Sequence, residues 1–132
     1  MVLVDTSVWI DYFNGTDTSQ STQLDELLGS GRILIGDLIL AELLQGFASD
    51  RDFRRARELL LDLPYADLVG KAVSLSAAEN YRKLRTRGIT IRKTIDMIIG
   101  TYCLLNDHEL LHSDRDFDAF EQNLGLRVYG RS

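Results

Sequence analysis

Cysteine, proline, tryptophan and histidine are scarce in this chain: 132 residues include one Cys, one Pro, one Trp and two His. A lone cysteine cannot form an internal disulfide, and Cys103 sits in the apolar run IDMIIGTYCLL, where it reads as core rather than reactive surface. A reducing cytoplasm is the natural compartment for such a chain. His108, His112 and Cys103 have no zinc-type spacing, which argues against a tetrahedral Cys/His site. No apolar run approaches the ~20 residues of a membrane span. The opening MVLVDTSVWID has no basic n-region and meets an acid at position 5, so no secretory signal is expected. Repeats, low-complexity segments and Pro-rich linkers are also absent. Positive charge is not in excess: the net charge is −5, unlike a generic nucleic-acid binder.

What remains is ordinary globular material, with 45% hydrophobic and 27% charged residues, of a length that suits one domain with a real core. The pattern alternates short apolar runs with amphipathic stretches. MVLV at 1–4, RILIG at 32–36, ADLVG at 66–70, ELLHS at 109–113 and LRVYG at 126–130 read as strands. Helices are expected over 7–13, in QLDELLGSG ending at Gly29 or Gly31, over 37–47 with Asp37 as N-cap, over 51–63 closed by Pro64, and over 71–88 and 94–107. A short helix follows in RDFDAFEQNLG, and TDTSQST at 16–22 reads as a polar loop. Strand–helix alternation, with strands lacking polar alternation, predicts an α/β layer fold whose mainly parallel sheet is covered on both faces.

Ligands of open parallel sheets bind beyond the carboxyl ends of the strands. Asp5 directly follows the first expected strand, and Asp114 and Asp116 follow the fourth. If those strands are neighbours, three carboxylates meet at one edge. Two further acids interrupt apolar helices: Glu42 in DLILAELLQGF and Asp96 in TIDMIIG. Buried carboxylates need a partner, a proton or a metal. Each acid also has a plain structural use: Asp5, Asp114 or Asp116 as a helix cap, Asp96 at a helix dipole, Glu42 on a polar stripe. Asp11, Asp37 and Asp118 read as surface or cap residues. The joint pattern is more telling than any member.

Oxygen-only clusters suit hard divalent cations such as Mg²⁺ or Mn²⁺, and four or five carboxylates can hold one ion or two. A cation also reverses the local sign of an acidic pocket, so that a polyanion can approach it. Residues 80–95, NYRKLRTRGITIRKTI, carry Arg82, Lys83, Arg85, Arg87, Arg92 and Lys93 with no acid and lead into Asp96; they read as a phosphate-facing patch. Arg51, Arg54, Arg55 and Arg57, interleaved with Asp52 and Glu58, read as a solvated helix face.

Four segments in order, VLVDTSVWIDYFNG, LILAELLQGF, TIDMIIGTYCLLND and LLHSDRDFDAF, together resemble the PIN-domain ribonucleases, and most of all the VapC toxins of bacterial toxin–antitoxin pairs. The resemblance runs from about residue 2 to 130 and implies one PIN domain over 1–132. It implies a three-layer sandwich around a mainly parallel sheet of four or five strands. It implies Mg²⁺- or Mn²⁺-dependent endonucleolytic cleavage of RNA by water, with one or two ions per site. By the same resemblance Asp5, Glu42, Asp96, Asp114 and Asp116 are the catalytic and metal-binding acids. Thr6, Ser7 and Ser113 resemble positions that orient carboxylates or waters, and Arg82, Arg85, Arg87, Arg92 and Lys93 are the expected RNA phosphate contacts. A homodimer and a cognate VapB-type antitoxin are implied, the antitoxin tail wrapping the toxin and an arginine reaching the acids. Trp9, Ile10, Phe13, Leu43, Leu44 and Phe47 are the candidate groove for that tail, or else core.

Two other readings stay open on the residues alone. A catalytically silent binding module would keep the fold without the ion. A phosphotransfer receiver domain also clusters acids at strand ends, but LRVYG ends without the lysine it needs and no acidic pair follows MVLV. A haloacid-dehalogenase-type phosphatase would want a second Asp two residues after Asp5, where Ser7 stands.

Overall fold

The structure is a computed structural model and describes residues 1–130. Its centre is a four-stranded sheet made of β1 (Val2–Val4), β2 (Ile33–Gly36), β3 (Tyr65–Ala66) and β4 (Glu109–Leu111). The order is β3-β2-β1-β4, and every ladder is parallel: Leu3 pairs with Leu34 on one side and with Leu110 on the other. Val2, Leu3 and Val4 are fully buried, as continuous apolar strands must be when helices cover both faces.

Seven helices flank the sheet: α1 (Thr6–Asn14), α2 (Ser19–Leu27), α3 (Asp37–Gln45), α4 (Asp50–Leu61), α5 (Lys71–Thr86), α6 (Thr94–Asn106) and α7 (Asp118–Leu124). They form two groups. α1 packs on α2 and α3, which touches α4, while α5 packs on α6 and α7. A three-layer α/β sandwich results, as expected. The order of strands matters for function. From β1 the chain steps outward to β2 and β3, then returns across β1 to β4. The topological switch therefore lies between β1 and β4, and open parallel sheets bind their ligands beyond the carboxyl ends at such a point.

The fourth expected strand ends at Leu111 rather than at 113, and four further differences have a local reason. The stretch 16–22 is not all loop: α2 starts at Ser19, because Thr18 Oγ1 accepts the Ser21 N–H and Ser21 Oγ accepts the Thr18 N–H, a reciprocal cap. Asp37 is not an N-cap but the first residue of α3; its Oδ1 accepts the N–H groups of Leu38 and Leu68 at 2.8 and 2.9 Å. That contact uses up backbone at 68, so the third strand is only Tyr65–Ala66 rather than 66–70. The fifth strand shrinks to one parallel bridge, Leu110 to Val128, since the chain turns at Tyr129 and Gly130.

Trp9, Phe117 and Phe120 are the largest fully buried side chains. Gly100 on α6 sits against the Phe120 ring, where a Cβ would come within 2.5 Å of it. Cys103 is 1% exposed and its thiol is pushed up to about 12 by burial, so it is inert core.

Candidate active site

Asp5 ends β1, and its N–H donates to Leu111 O of β4 at 2.9 Å, which locks the two strand ends side by side. Its side chain caps α1: Oδ2 accepts the Ser7 N–H at 3.2 Å and the Ser7 hydroxyl at 2.7 Å. Ser7 Oγ in turn accepts the Ser113 N–H at 3.4 Å. One hydroxyl thus ties the ends of β1 and β4 together. Asp5 is thus the N-cap of α1, and capping engages only one of its two carboxylate oxygens.

Beyond β4 the chain makes a turn and a 3-10 helix at Arg115–Phe117. Asp114 Oδ1 accepts the Asp116 N–H at 2.9 Å, and His112 Nδ1 accepts the Asp114 N–H at 3.3 Å. Both acids are half-buried. From the other side comes Asp96, in the first turn of α6 and 6% exposed. One oxygen from each of Asp96, Asp114 and Asp116 lies within 4.8 Å of the others.

The electrostatics record this crowding. Burial, then the nearby charges of Asp5 and Asp114, push the Asp96 carboxyl up to about 7, with Lys93 opposing. Asp5 is also raised, by burial first, against the hydrogen bonds from Ser7 and with the Asp114 charge adding. Asp96 Oδ2 is buried without a hydrogen-bond partner. A buried carboxylate with one unpartnered oxygen, grouped with two more acids, is what a hard cation would satisfy. The donor set, all carboxylate oxygen, fits Mg²⁺ or Mn²⁺ and does not fit zinc.

Glu42 lies apart from this trio. Its Oε1 accepts the Thr6 hydroxyl at 2.9 Å, so it borders the site through α1. The basic residues scatter. Arg87 donates to Asn123 O and Oδ1 at 3.1 and 3.2 Å, and Arg85 lies over the Tyr81 ring at 5.9 Å. Arg92 and Lys93 are exposed just before α6, beside Asp96. Arg82 borders an apolar hollow of about 420 Å³ between α5 and α6, with Tyr81, Met97 and Ile98. Of the expected phosphate contacts, Lys93 is near enough to act on the Asp96 charge, and Arg87 is hydrogen-bonded to Asn123 of α7.

The expected apolar groove divides too. Trp9 is fully buried under Phe13, whose ring is stacked on it at 5.8 Å, so Trp9 is core. Ile10, Phe13, Leu43 and Phe47 do line a cavity of about 190 Å³ between α1 and α3, with Glu42 in its wall, while Leu44 is not among its lining residues.

A family model for the PIN domain matches residues 2–123. The chain belongs to the PIN-domain family. Similar proteins include VapC ribonuclease Mb1587 of Mycobacterium bovis and ribonuclease VapC11 of Mycobacterium tuberculosis, each 29% identical over 130 residues, 97% of both chains. Solved structures match over nine-tenths or more of the chain. VapBC2 from Rickettsia felis, bound to a promoter DNA fragment, matches with a TM-score of 0.76 at 19% identity over 100% of both chains. VapC20 of M. tuberculosis, a sarcin-ricin loop cleaving toxin, matches at 0.66 and 16% identity over 90% of this chain and 94% of that one. At such identity these structures speak for the fold alone.

His112 is the polar residue that sequence reasoning passed over. On the residues alone it offers only a candidate zinc ligand; its place two residues before Asp114 is the signal for its real setting.

Proposed function

We propose that this protein is a metal-dependent endoribonuclease, the toxin of a VapC-type toxin–antitoxin pair. The observation that carries the reading is the convergence of Asp96, Asp114 and Asp116 within 4.8 Å, with Asp5 beside them, at the topological switch point of a PIN fold. Full-length similarity to the VapC ribonucleases supports it.

In this reading Asp96, Asp114 and Asp116 hold Mg²⁺ or Mn²⁺, and Asp5 completes the charge around it. The ion, when bound, supplies Lewis-acid stabilisation of the scissile phosphate and of the attacking water. The chain's own part is placement. Ser7 fixes the Asp5 carboxylate through two hydrogen bonds, leaving its other oxygen for the site. Asp96, raised to about 7 by burial and by the neighbouring acids, is a carboxylate whose charge a bound cation would offset. Thr6 holds Glu42 through its hydroxyl, in the wall of the α1–α3 cavity. Lys93 and Arg92, exposed at the start of α6, hold flanking phosphates of single-stranded or loop RNA.

The same proposal includes two protein partners. The tail of a VapB-type antitoxin fits the cavity of Ile10, Phe13 and Phe47, whose wall contains Glu42, so that a basic residue of the tail would meet the acids. A second copy of the chain would use the α5–α6 face, where Leu75 is 58% exposed beside the apolar hollow. The compartment of this chemistry is the cytoplasm.

Mapping of new 5′ ends in total RNA after a pulse of expression tests the activity. Discrete cleavage sites that vanish with Asp96→Asn support it. An identical RNA profile for both proteins would leave a silent PIN-fold binding module instead.

A further inference from the structure

Three side chains at the crevice accept the backbone N–H two residues further on. Asp5 accepts from Ser7 and Asp114 from Asp116, as aspartates do in Asx turns. The third is His112, whose Nδ1 accepts the Asp114 N–H at 3.3 Å. An imidazole here does the work of an Asn or Asp side chain.

His112 is well placed to hold that peptide still. It is 5% exposed, and its ring centre lies 5.1 Å from that of Phe117 with the planes at 51°. Phe117 is fully buried and lies 6.0 Å from the Phe120 ring, which abuts α6 at Gly100, one turn beyond Asp96. A continuous row of rings therefore connects the imidazole to the helix that carries the facing acid. A buried ring with fixed neighbours has little rotamer freedom, so the N–H it accepts is fixed as well. The preceding peptide N–H, that of Ser113, is held by Ser7. Two successive amides of the acid-bearing turn are thus anchored by side chains.

We propose that His112 is a positioning residue of the acidic site: it sets the Asp114 peptide, and through it the Asp114 and Asp116 carboxylates, in register with Asp96. This inference rests on the metal-dependent reading given above. Its physical basis is the narrow tolerance of Mg²⁺-type coordination for ligand position. Groups that orient the ligands of a metal typically govern affinity by about 10–100-fold.

A pair of variants isolates the acceptor atom from the bulk of the ring. His112→Phe fills similar space with no acceptor, whereas His112→Asn offers an amide oxygen to the same N–H. Isothermal titration of Mn²⁺ into the metal-free proteins is the primary readout, with RNA cleavage measured alongside. His112→Phe should weaken Mn²⁺ binding by about 10–100-fold, and His112→Asn should restore most of it. Equal Mn²⁺ affinity of His112→Phe and wild type, or an Asn variant as weak as the Phe variant, would overturn the inference. If both variants fail to fold, long-range ¹H–¹⁵N spectra of the wild-type imidazole decide: Nδ1 must be the unprotonated nitrogen, and a proton there overturns the inference. Wild-type protein that neither binds Mn²⁺ nor cleaves RNA would overturn the nuclease reading itself, an outcome distinct from a difference between the variants.

Discussion

Thr6 Oγ1 donates to Glu42 Oε1 across 2.9 Å, joining the first turn of α1 to the middle of α3. The two residues are 36 positions apart, and both are half-buried. The contact orients an acid that would otherwise be free to swing into solvent. Thr6→Val keeps the shape and removes the donor, leaving a partly buried carboxylate oxygen unsatisfied. It should cost about 1–3 kcal/mol in chemical denaturation. Glu42→Gln keeps an acceptor for Thr6 and should cost clearly less stability while still lowering cleavage. Equal stability loss in the two variants would show that the hydrogen bond does not orient Glu42.

Asp96 makes the metal-free fold sensitive to pH. Its carboxyl is raised from 3.8 to about 7. Between those values the native state binds a proton that the unfolded chain has released. The contribution of this group to stability is therefore complete below about pH 4 and is lost as pH rises through about 7. Asp96→Asn removes the dependence. In metal-free buffer the melting temperature of the variant relative to wild type should rise from pH 4 to pH 8. A constant difference over that range would contradict the raised value.

Lys93 is near enough to act on the Asp96 charge, while Arg87 is hydrogen-bonded to Asn123. Lys93→Ala or Arg92→Ala should raise KM for RNA and reduce the salt slope of binding by about one charge each. Arg87→Ala should leave RNA binding alone and slightly loosen α7. Binding isotherms at several salt concentrations separate these outcomes. An equal loss of salt dependence for Arg87→Ala would restore the wider patch expected from the sequence.

Gly100 lets α6 approach the Phe120 ring, since a Cβ would lie 2.5 Å from it. Gly100→Ala should destabilise the fold by about 1–3 kcal/mol through overpacking. Because Gly100 lies one turn from Asp96, Mn²⁺ affinity should fall as well. Unchanged stability, measured by urea unfolding, would mean the ring has room to move.

Much of this architecture was legible in the residues. MVLV and RILIG announce buried strands because they lack any alternation, and Asp5 and Asp114 fall at strand ends that the β3-β2-β1-β4 order makes neighbours. The 3-10 turn and α7 were visible as one short helix. What could not be read depended on contacts distant in sequence. Asp37 looked like a cap, and its bond to the Leu68 N–H, which shortens β3, spans 31 positions. The run from Arg82 to Lys93 looked like one basic face, but a helix followed by an irregular stretch sends its members to different neighbours. Trp9 was open between groove and core because an aromatic on an amphipathic helix can face either way; its full burial, with Phe13 stacked on it, makes it core. His112 was hidden because a single histidine carries no motif, and only the turn geometry reveals what its Nδ1 accepts.

The central claim is that Asp96, Asp114 and Asp116 form one cation site. Anomalous scattering from crystals of the wild-type protein grown with Mn²⁺ tests it most directly. One or two peaks enclosed by those three carboxylates, and no peak there in Asp96→Asn, is the predicted result. A crevice without a peak at saturating Mn²⁺, in protein that still cleaves RNA, would contradict it.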